Sequence, residues 1–241
     1  MDMVLYEKPL KITLSGYLLF VNGNQHPKSA RTIPQMLRTL MSRPDLEMLE
    51  TLDMYFMYRN VLKKDGIRYD ITMIPPVPVG EEAPKTHGHY HPKSEDGLAY
   101  PEAYQVLEGS AIFILQKKNR NGSVDVSIVS AKAREVVLIP SGYGHVTINS
   151  GQDTLVLGNL VYDRFEPMYS EFDENRGAAY YYLRDGSMVQ NGNYIVEKNE
   201  RLTAAELDAR YGFACRDLLV EFSDNPEKFA FLQKPKLLFK S

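Results

Sequence analysis

The sequence predicts a mainly β protein, a jelly-roll barrel with peripheral helices at its N- and C-terminal ends. Two observations carry that expectation. From about Met54 to Val161, short apolar runs of strand length follow one another, and turn signals separate them at hairpin spacing. That rhythm suits a sandwich or barrel better than alternating βα units, which would need a helix between each pair of strands. The turn signals are Glu108-Gly, Asn119-Arg-Asn-Gly, Pro140-Ser-Gly and Ser150-Gly.

In chain order, residues 4–21 carry short β-like runs, Lys11-Ile-Thr-Leu and Tyr17-Leu-Leu-Phe-Val among them. A helix is expected next: Thr32 can cap it and Pro34 suits its first turn, while Ile33, Met36, Leu37, Leu40 and Met41 recur at helical spacing. A second short helix is expected over Asp45–Leu52. The strands then run through Tyr55–Val61, Arg68–Ile74, the histidine stretch 86–91, Tyr104–Leu107, Ala111–Gln116, Val124–Val129, Glu135–Ile139, His145–Asn149 and Thr154–Val161. Tyr180-Tyr-Tyr-Leu and Tyr194-Ile-Val-Glu are expected to pair across Asp185-Gly. Thr203-Ala-Ala-Glu206 is a capping box opening a helix that ends at Gly212, and Ser223–Leu232 reads as another, with Pro226 in its first turn. No long linker or repeat divides the chain. The expected organisation is one domain over 1–241, with N-terminal strands and helix in 1–53, the barrel in 54–185 and a hairpin and helical extension in 186–241.

Composition narrows the function. A formal net charge of -3 with both signs interspersed leaves no basic footprint for nucleic acid or anionic membrane. A single cysteine, Cys215, excludes an internal disulfide and fits a reducing cytosol. The N-terminus lacks the basic start and apolar run of a signal peptide, and no apolar stretch approaches transmembrane length, so a cytoplasmic protein is expected.

The chemistry concentrates at Thr86-His-Gly-His-Tyr-His-Pro. Side chains alternate faces along an extended chain, so His87, His89 and His91 share one face at about 6–7 Å intervals. Two neighbouring imidazoles can hold one ion; spacing alone does not choose the 87/89 pair over 89/91. With a carboxylate and the distant His145 they would offer nitrogen and oxygen to a first-row divalent ion. A set of His89, His91, Glu102 and His145 leaves an octahedral ion two positions for water or substrate, the open form of a catalytic site. A lone His-x-His on a strand more often binds no metal, and His145 alone would read as a hydrogen-bonded barrel residue. The combination carries the inference. Glu95 is nearer His91 in sequence than Glu102, but with Asp96 it reads as a solvated loop charge beside Gly97.

His89-x-His91, Glu102 and Gly109, followed by Pro140-x-Gly142-x-x-His145-x-x-x-Asn149, resemble the two cupin motifs. The resemblance favours His89 and His91 as the pair. Two departures are visible: an enlarged loop, Lys93–Pro101, between His91 and Glu102, and Arg134 where the second motif usually opens with glycine.

The run Thr86-x-Gly88-His89-x-His91-x-Lys93 with Glu102-x-Tyr104 resembles, more narrowly, the cupin-type glucose-6-phosphate isomerases known mainly from archaea. Tyr55-x-x-Tyr58, Thr72 and Pro76 upstream, and Tyr143, Thr147, Gly151, Tyr169 and Gly177 downstream, extend it over roughly residues 50–180. It implies interconversion of glucose 6-phosphate and fructose 6-phosphate, in glycolysis and gluconeogenesis, by a homodimer. It also implies one divalent ion per subunit, iron(II) foremost with manganese, nickel, zinc or cobalt able to substitute. His89, His91, Glu102 and His145 would hold the ion. Thr72, Thr86 and the backbone of Gly88 would meet the phosphate, with Lys93 adding charge. Tyr55, Tyr104 and Tyr169 would line the sugar, and Glu102 and Tyr104 would serve catalysis. Pro167 stands where that family has a histidine. A different cupin enzyme, such as an iron dioxygenase, or a non-catalytic sugar-binding cupin are the alternatives.

Overall fold

The computed structural model describes residues 2–42, 52–77 and 79–239. The helix expected over Asp45–Leu52 lies almost wholly outside them. The chain opens with β1 (Met3–Tyr6), β2 (Ile12–Ser15), β3 (Leu18–Val21) and β4 (Asn24–Gln25), a small antiparallel sheet. β5 (Ser29–Thr32) leads into α1 (Ile33–Met36), where the Gln35 side chain accepts from the Thr32 N–H at 3.0 Å, the expected cap. A 3-10 turn over Leu37–Thr39 follows, so the helical run is real but short.

Eight strands then build the barrel: β6 (Asp53–Lys64), β7 (Ile67–Ile74), β8 (Glu102–Glu108), β9 (Ser110–Lys118), β10 (Val124–Lys132), β11 (Val136–Ile139), β12 (Tyr143–Asn149) and β13 (Leu155–Tyr162). After α2 (Ser170–Glu174) and the hairpin β14 (Tyr180–Tyr182) and β15 (Met188–Gln190), β16 (Val196–Thr203) runs into α3 (Ala204–Arg210). α4 (Leu218–Asp224) and 3-10 turns over Pro226–Leu232 and Pro235–Phe239 close the chain.

Two sheets face one another, one ordered β11-β8-β13-β7-β6-β5 and the other β12-β9-β10-β16. Two-residue alternation divides the larger sheet. Tyr55 and Tyr104 point inward, where they meet Phe113, Leu115 and Val129 of the other sheet. Phe56, Tyr58, Ile71 and Leu160 point outward against Leu218, Leu219, Phe222 and Phe229, and against Ile12, Leu14 and Leu19 of the small sheet. Both faces of this sheet are therefore covered: along β7 the apolar Ile67, Tyr69, Ile71 and Met73 pack outward, while Arg68, Asp70 and Thr72 face the interior.

The structure differs from the sequence reading in three places. The Tyr194 stretch does not pair with Tyr180-Tyr-Tyr; Met188–Gln190 does, and the chain beyond Tyr194 becomes β16. β16 lies parallel to β10 as the edge of a barrel sheet, so the C-terminal extension contributes to the barrel itself. The helix expected over Ser223–Leu232 is divided: α4, capped by Asp217 accepting from the Val220 N–H, ends at Asp224, and a 3-10 helix with Pro226 in its first turn covers Pro226–Leu232. The capping box at Thr203 and Glu206 forms as expected.

Two buried polar features tie the ends to the barrel. Lys85, buried beside β12, pairs with Glu82 and donates to the Thr39 carbonyl, while Glu82 accepts from the Met41 N–H at 2.9 Å. On α3, Asp208 accepts from the Leu138 N–H of β11 at 2.9 Å, and burial pushes its carboxyl up to about 7. A folded value above the unfolded 3.8 means the stabilisation is complete below pH 4 and is lost as pH rises through about 7. Asp208→Asn keeps an acceptor and removes the titration. In denaturant titrations it should match wild type at pH 4 and be more stable by on the order of 2 kcal/mol at pH 8. An equal difference at both pH values would contradict this.

Candidate active site

The histidine stretch is extended but forms no long strand; it joins the sheet edge through isolated bridges. His89 and His145 exchange backbone hydrogen bonds at 3.3 and 3.0 Å, and the Thr86 N–H donates to Thr147 O at 2.8 Å. On its other side the Tyr90 N–H donates to Met168 O and the Met168 N–H to Tyr90 O, at 3.0 and 2.8 Å. The strap is thus clamped between β12 and residues 165–169, and alternation aims His87, His89 and His91 into one cavity.

Register builds the opposite wall. Tyr104 of β8 pairs with Asn159 of β13, which pairs with Asp70 of β7; Thr72 pairs with Met57 of β6. All of these side chains face the cavity, with Glu102 two residues before Tyr104. The cavity is open at its mouth, and its lining includes Tyr55, Arg59, Arg68, Thr86, Phe165, Pro167 and Tyr169.

At its floor, one ligand atom each from His89, His91, Glu102 and His145 lies within 4.8 Å of every other. The donor set suits a first-row divalent ion, and hydrogen bonding leaves the right nitrogens free. His91 Nδ1 lies 2.9 Å from Tyr100 O and His89 Nδ1 lies 3.2 Å from His87 O, so each ring protonates there and turns Nε2 inward. Glu102 Oε2 is 3.3 Å from His91 Nε2 and 3.4 Å from His145 Nε2. Its Oε1 accepts from Asn159 Nδ2 at 2.7 Å. His145 Nδ1 is buried without a partner.

Electrostatics agree with ligand duty. Burial, then the charge of His91, lowers the His89 imidazole to about 4; burial and both neighbouring imidazoles hold His145 well below its ordinary value. Neutral imidazoles are what a metal needs. Burial alone would raise Glu102, but hydrogen bonding and charge from His91, with His89, outweigh it and keep the carboxylate ionised. Burial and the Glu102 charge raise Tyr104 well above its ordinary value, so its hydroxyl, 3.4 Å from His145 Nε2, stays protonated.

His87, left open by spacing, falls outside the cluster: its Nε2 is 2.8 Å from Asp173 Oδ1 of α2. Glu95 is exposed on a loop that closes on itself, since Lys93 bridges to Ala99 and the Ser94 N–H donates to Leu98 O. The enlarged loop is therefore an excursion that returns the chain to β8 with Glu102 in place. Arg134 takes φ +77°, keeping the turn that the second motif usually opens with glycine.

One proposed phosphate contact needs correction. Lys93 is exposed and is not part of the cavity lining. Gly88 is required for packing on the far face of the strap, where a Cβ would lie 2.2 Å from Phe172 and 2.6 Å from Val146. Sequence reasoning missed Arg59, Arg68 and Asp70. Isolated charges in strands give no signal of their own, although Asn60 at φ +59° marks a bulge in β6 beside Arg59.

The glucose-6-phosphate isomerase family model matches residues 46–198, well over half of the chain. No curated protein matches the sequence. Among solved structures, oxalate decarboxylase from Bacillus subtilis is 18% identical with a TM-score of 0.35, over 48% of this chain and 27% of that one. The capsular polysaccharide assembling protein CapF from Staphylococcus aureus is 18% identical with a TM-score of 0.37, over 48% of this chain and 30% of that one. The chain thus spans less than a third of the length of these two proteins, and likenesses of this degree say nothing of its chemistry.

Proposed function

The chain belongs to the glucose-6-phosphate isomerase family, and from that premise we propose that it interconverts glucose 6-phosphate and fructose 6-phosphate with a divalent ion held by His89, His91, Glu102 and His145. The observation that carries this reading is one cavity uniting that cluster with the Thr72 and Thr86 hydroxyls, three tyrosines and two arginines. A dioxygenase for apolar substrates would want the opposite lining.

Aldose–ketose exchange moves a hydrogen between C1 and C2 of the open-chain sugar. When bound, the ion supplies Lewis acidity to the oxygens on which charge develops. Glu102 fits the role of ligand better than that of free base, because Oε2 faces the imidazoles and Oε1 is taken by Asn159. Tyr104, protonated and beside His145, is placed to donate to a sugar oxygen. Tyr55 accepts from the His87 N–H at 3.4 Å and faces Tyr169 across the cavity lining, where both present hydroxyls to the sugar chain. Phe165, against His91 at 4.5 Å between ring centroids, excludes water from the ligand side.

We further propose iron(II) as the native ion and a cytoplasmic homodimer serving glycolysis and gluconeogenesis. Among the described residues no helix is long and apolar enough to cross a membrane. Purified protein given iron(II) should convert fructose 6-phosphate in a dehydrogenase-coupled assay and lose that activity to a chelator. Inactivity after reconstitution with iron, manganese, nickel and zinc in turn would defeat the proposal.

A further inference from the structure

The cluster of His89, His91, Glu102 and His145 occupies the β8 side of the cavity, and on the opposite side Arg59 lines it without a carboxylate partner among the described residues. Among the described residues the arginines that make ion pairs are Arg68, Arg164 and Arg210. Arg68 is committed to Asp70 at 2.7 Å. Arg59 also lines the cavity, but its guanidinium meets only neutral groups: Nη1 donates to Ser29 Oγ at 2.9 Å and Nη2 lies 3.1 Å from Met57 Sδ.

Arg31 on β5 lies on the same face of the same sheet. It pairs in register with Tyr55, and its guanidinium carbon sits 5.4 Å from the centroid of the Tyr169 ring. Its Nε is buried without a hydrogen-bond partner. Leaving a guanidinium N–H unpaired in the interior is unfavourable unless something else accepts from it. Tyr55 and Tyr169, the side chains it touches, are themselves cavity lining.

We propose that Arg31 and Arg59 form an anion-binding end of the cavity and hold the phosphate of the sugar phosphate, with Thr72 and Thr86 as hydroxyl donors. This rests on the isomerase reading above. Two guanidinium groups that make no ion pair among the described residues match a phosphate dianion in charge, and planar N–H forks suit its oxygens. The spacing agrees. Strands β8, β13, β7 and β6 are consecutive neighbours, so β8 and β6 are three strand spacings apart, about 14 Å between backbones. Glu102 reaches inward from one end of that span and Arg59 from the other, leaving between them room for an extended six-carbon chain. The substrate would then lie across the strands, with C1 and C2 at the metal and C6 toward β5 and β6. The sequence already contained these arginines, but only pairing of β5 with β6 brings them to one wall.

The test uses the full chain loaded with iron(II). Arg31→Met and Arg59→Met should each raise KM for fructose 6-phosphate about tenfold, and together about a hundredfold, with kcat changed far less. The inhibition constant for inorganic phosphate should rise in parallel. Arg31→Lys and Arg59→Lys should recover part of both, and iron content with melting temperature should stay at wild-type values. Unchanged KM and phosphate inhibition in folded, iron-loaded variants would overturn the assignment, as would a fall in kcat at constant KM. If the wild type fails to isomerise, calorimetric titration with inorganic phosphate still decides the point. Binding by wild type and its loss in the double variant would support the anion end without the isomerase; equal binding by both, or none by wild type, would overturn it.

Discussion

Glu102→Gln is expected to lower kcat/KM by at least about a thousandfold and to abolish metal binding, while Glu95→Gln should stay within about twofold of wild type. The asymmetry follows from what each carboxylate touches. Glu102 is 3% exposed, with Oε2 toward His91 and His145 and Oε1 accepting from Asn159. A glutamine that keeps its oxygen toward Asn159 must aim its NH2 at the imidazole nitrogens, capping the lone pairs an ion needs. One that flips sets two NH2 groups against each other and leaves Asn159 without its acceptor. Either way three neutral imidazoles would face a divalent ion with no negative charge to balance it in a buried site. Glu95 is exposed and its loop closes independently. Metal analysis of the two purified variants, beside the coupled assay, checks both halves. A metal-free Glu95 variant with a fully loaded Glu102 variant would reverse the ligand assignment.

The second large effect is on stability. Lys85→Met should destabilise the protein by about 3–5 kcal/mol, because it leaves the Glu82 carboxylate in the interior without its cation. Their side chains are 4% and 3% exposed, and Lys85 also satisfies the Thr39 carbonyl. Removing both charges, in Glu82→Gln with Lys85→Met, should recover more than half of that loss, since burying an ion pair gains little over burying neutral groups. Denaturant titration of wild type and the two variants measures it. A single variant as stable as wild type would mean that the pair is solvated in solution. Thr86 and His87 follow Lys85 directly, so loosening this anchor should also weaken the hold on the metal-bearing strap.

Much of this site was legible from local pattern. Each barrel strand from Tyr55 to Val161 kept a short apolar run between turn residues, and His89, His91, Glu102 and His145 stood at recognisable spacing. What remained hidden depends on distant pairing. β16 is an edge strand whose sequence, Val196-Glu-Lys-Asn-Glu-Arg-Leu-Thr203, is mostly polar because most of its side chains are exposed, so nothing local marks it as barrel. Arg31 and Arg59 are ordinary strand positions until β5 meets β6. Gly88 was visible as important for its backbone, but not its packing: a Cβ there would point away from the cavity into Phe172. Arg134 shows the converse, a motif position whose usual glycine is gone while the left-handed turn persists.

The helices that cover the outer face of the larger sheet come from the last part of the chain, whereas all four ligands lie between residues 89 and 145. That ordering matters in time. At about 5–20 residues per second, a ribosome needs on the order of 4–17 s to pass from His145 to Leu232. Late in that interval the strands bearing Phe56, Tyr58, Ile71 and Leu160 exist with only the small N-terminal sheet to pack on them, and their helical cover does not. A nascent chain can gather its metal ligands while part of that face is still bare and open to association with other chains. Late closure by Leu218–Leu232 thus sets how long each newly made molecule is vulnerable, separately from how stable it becomes.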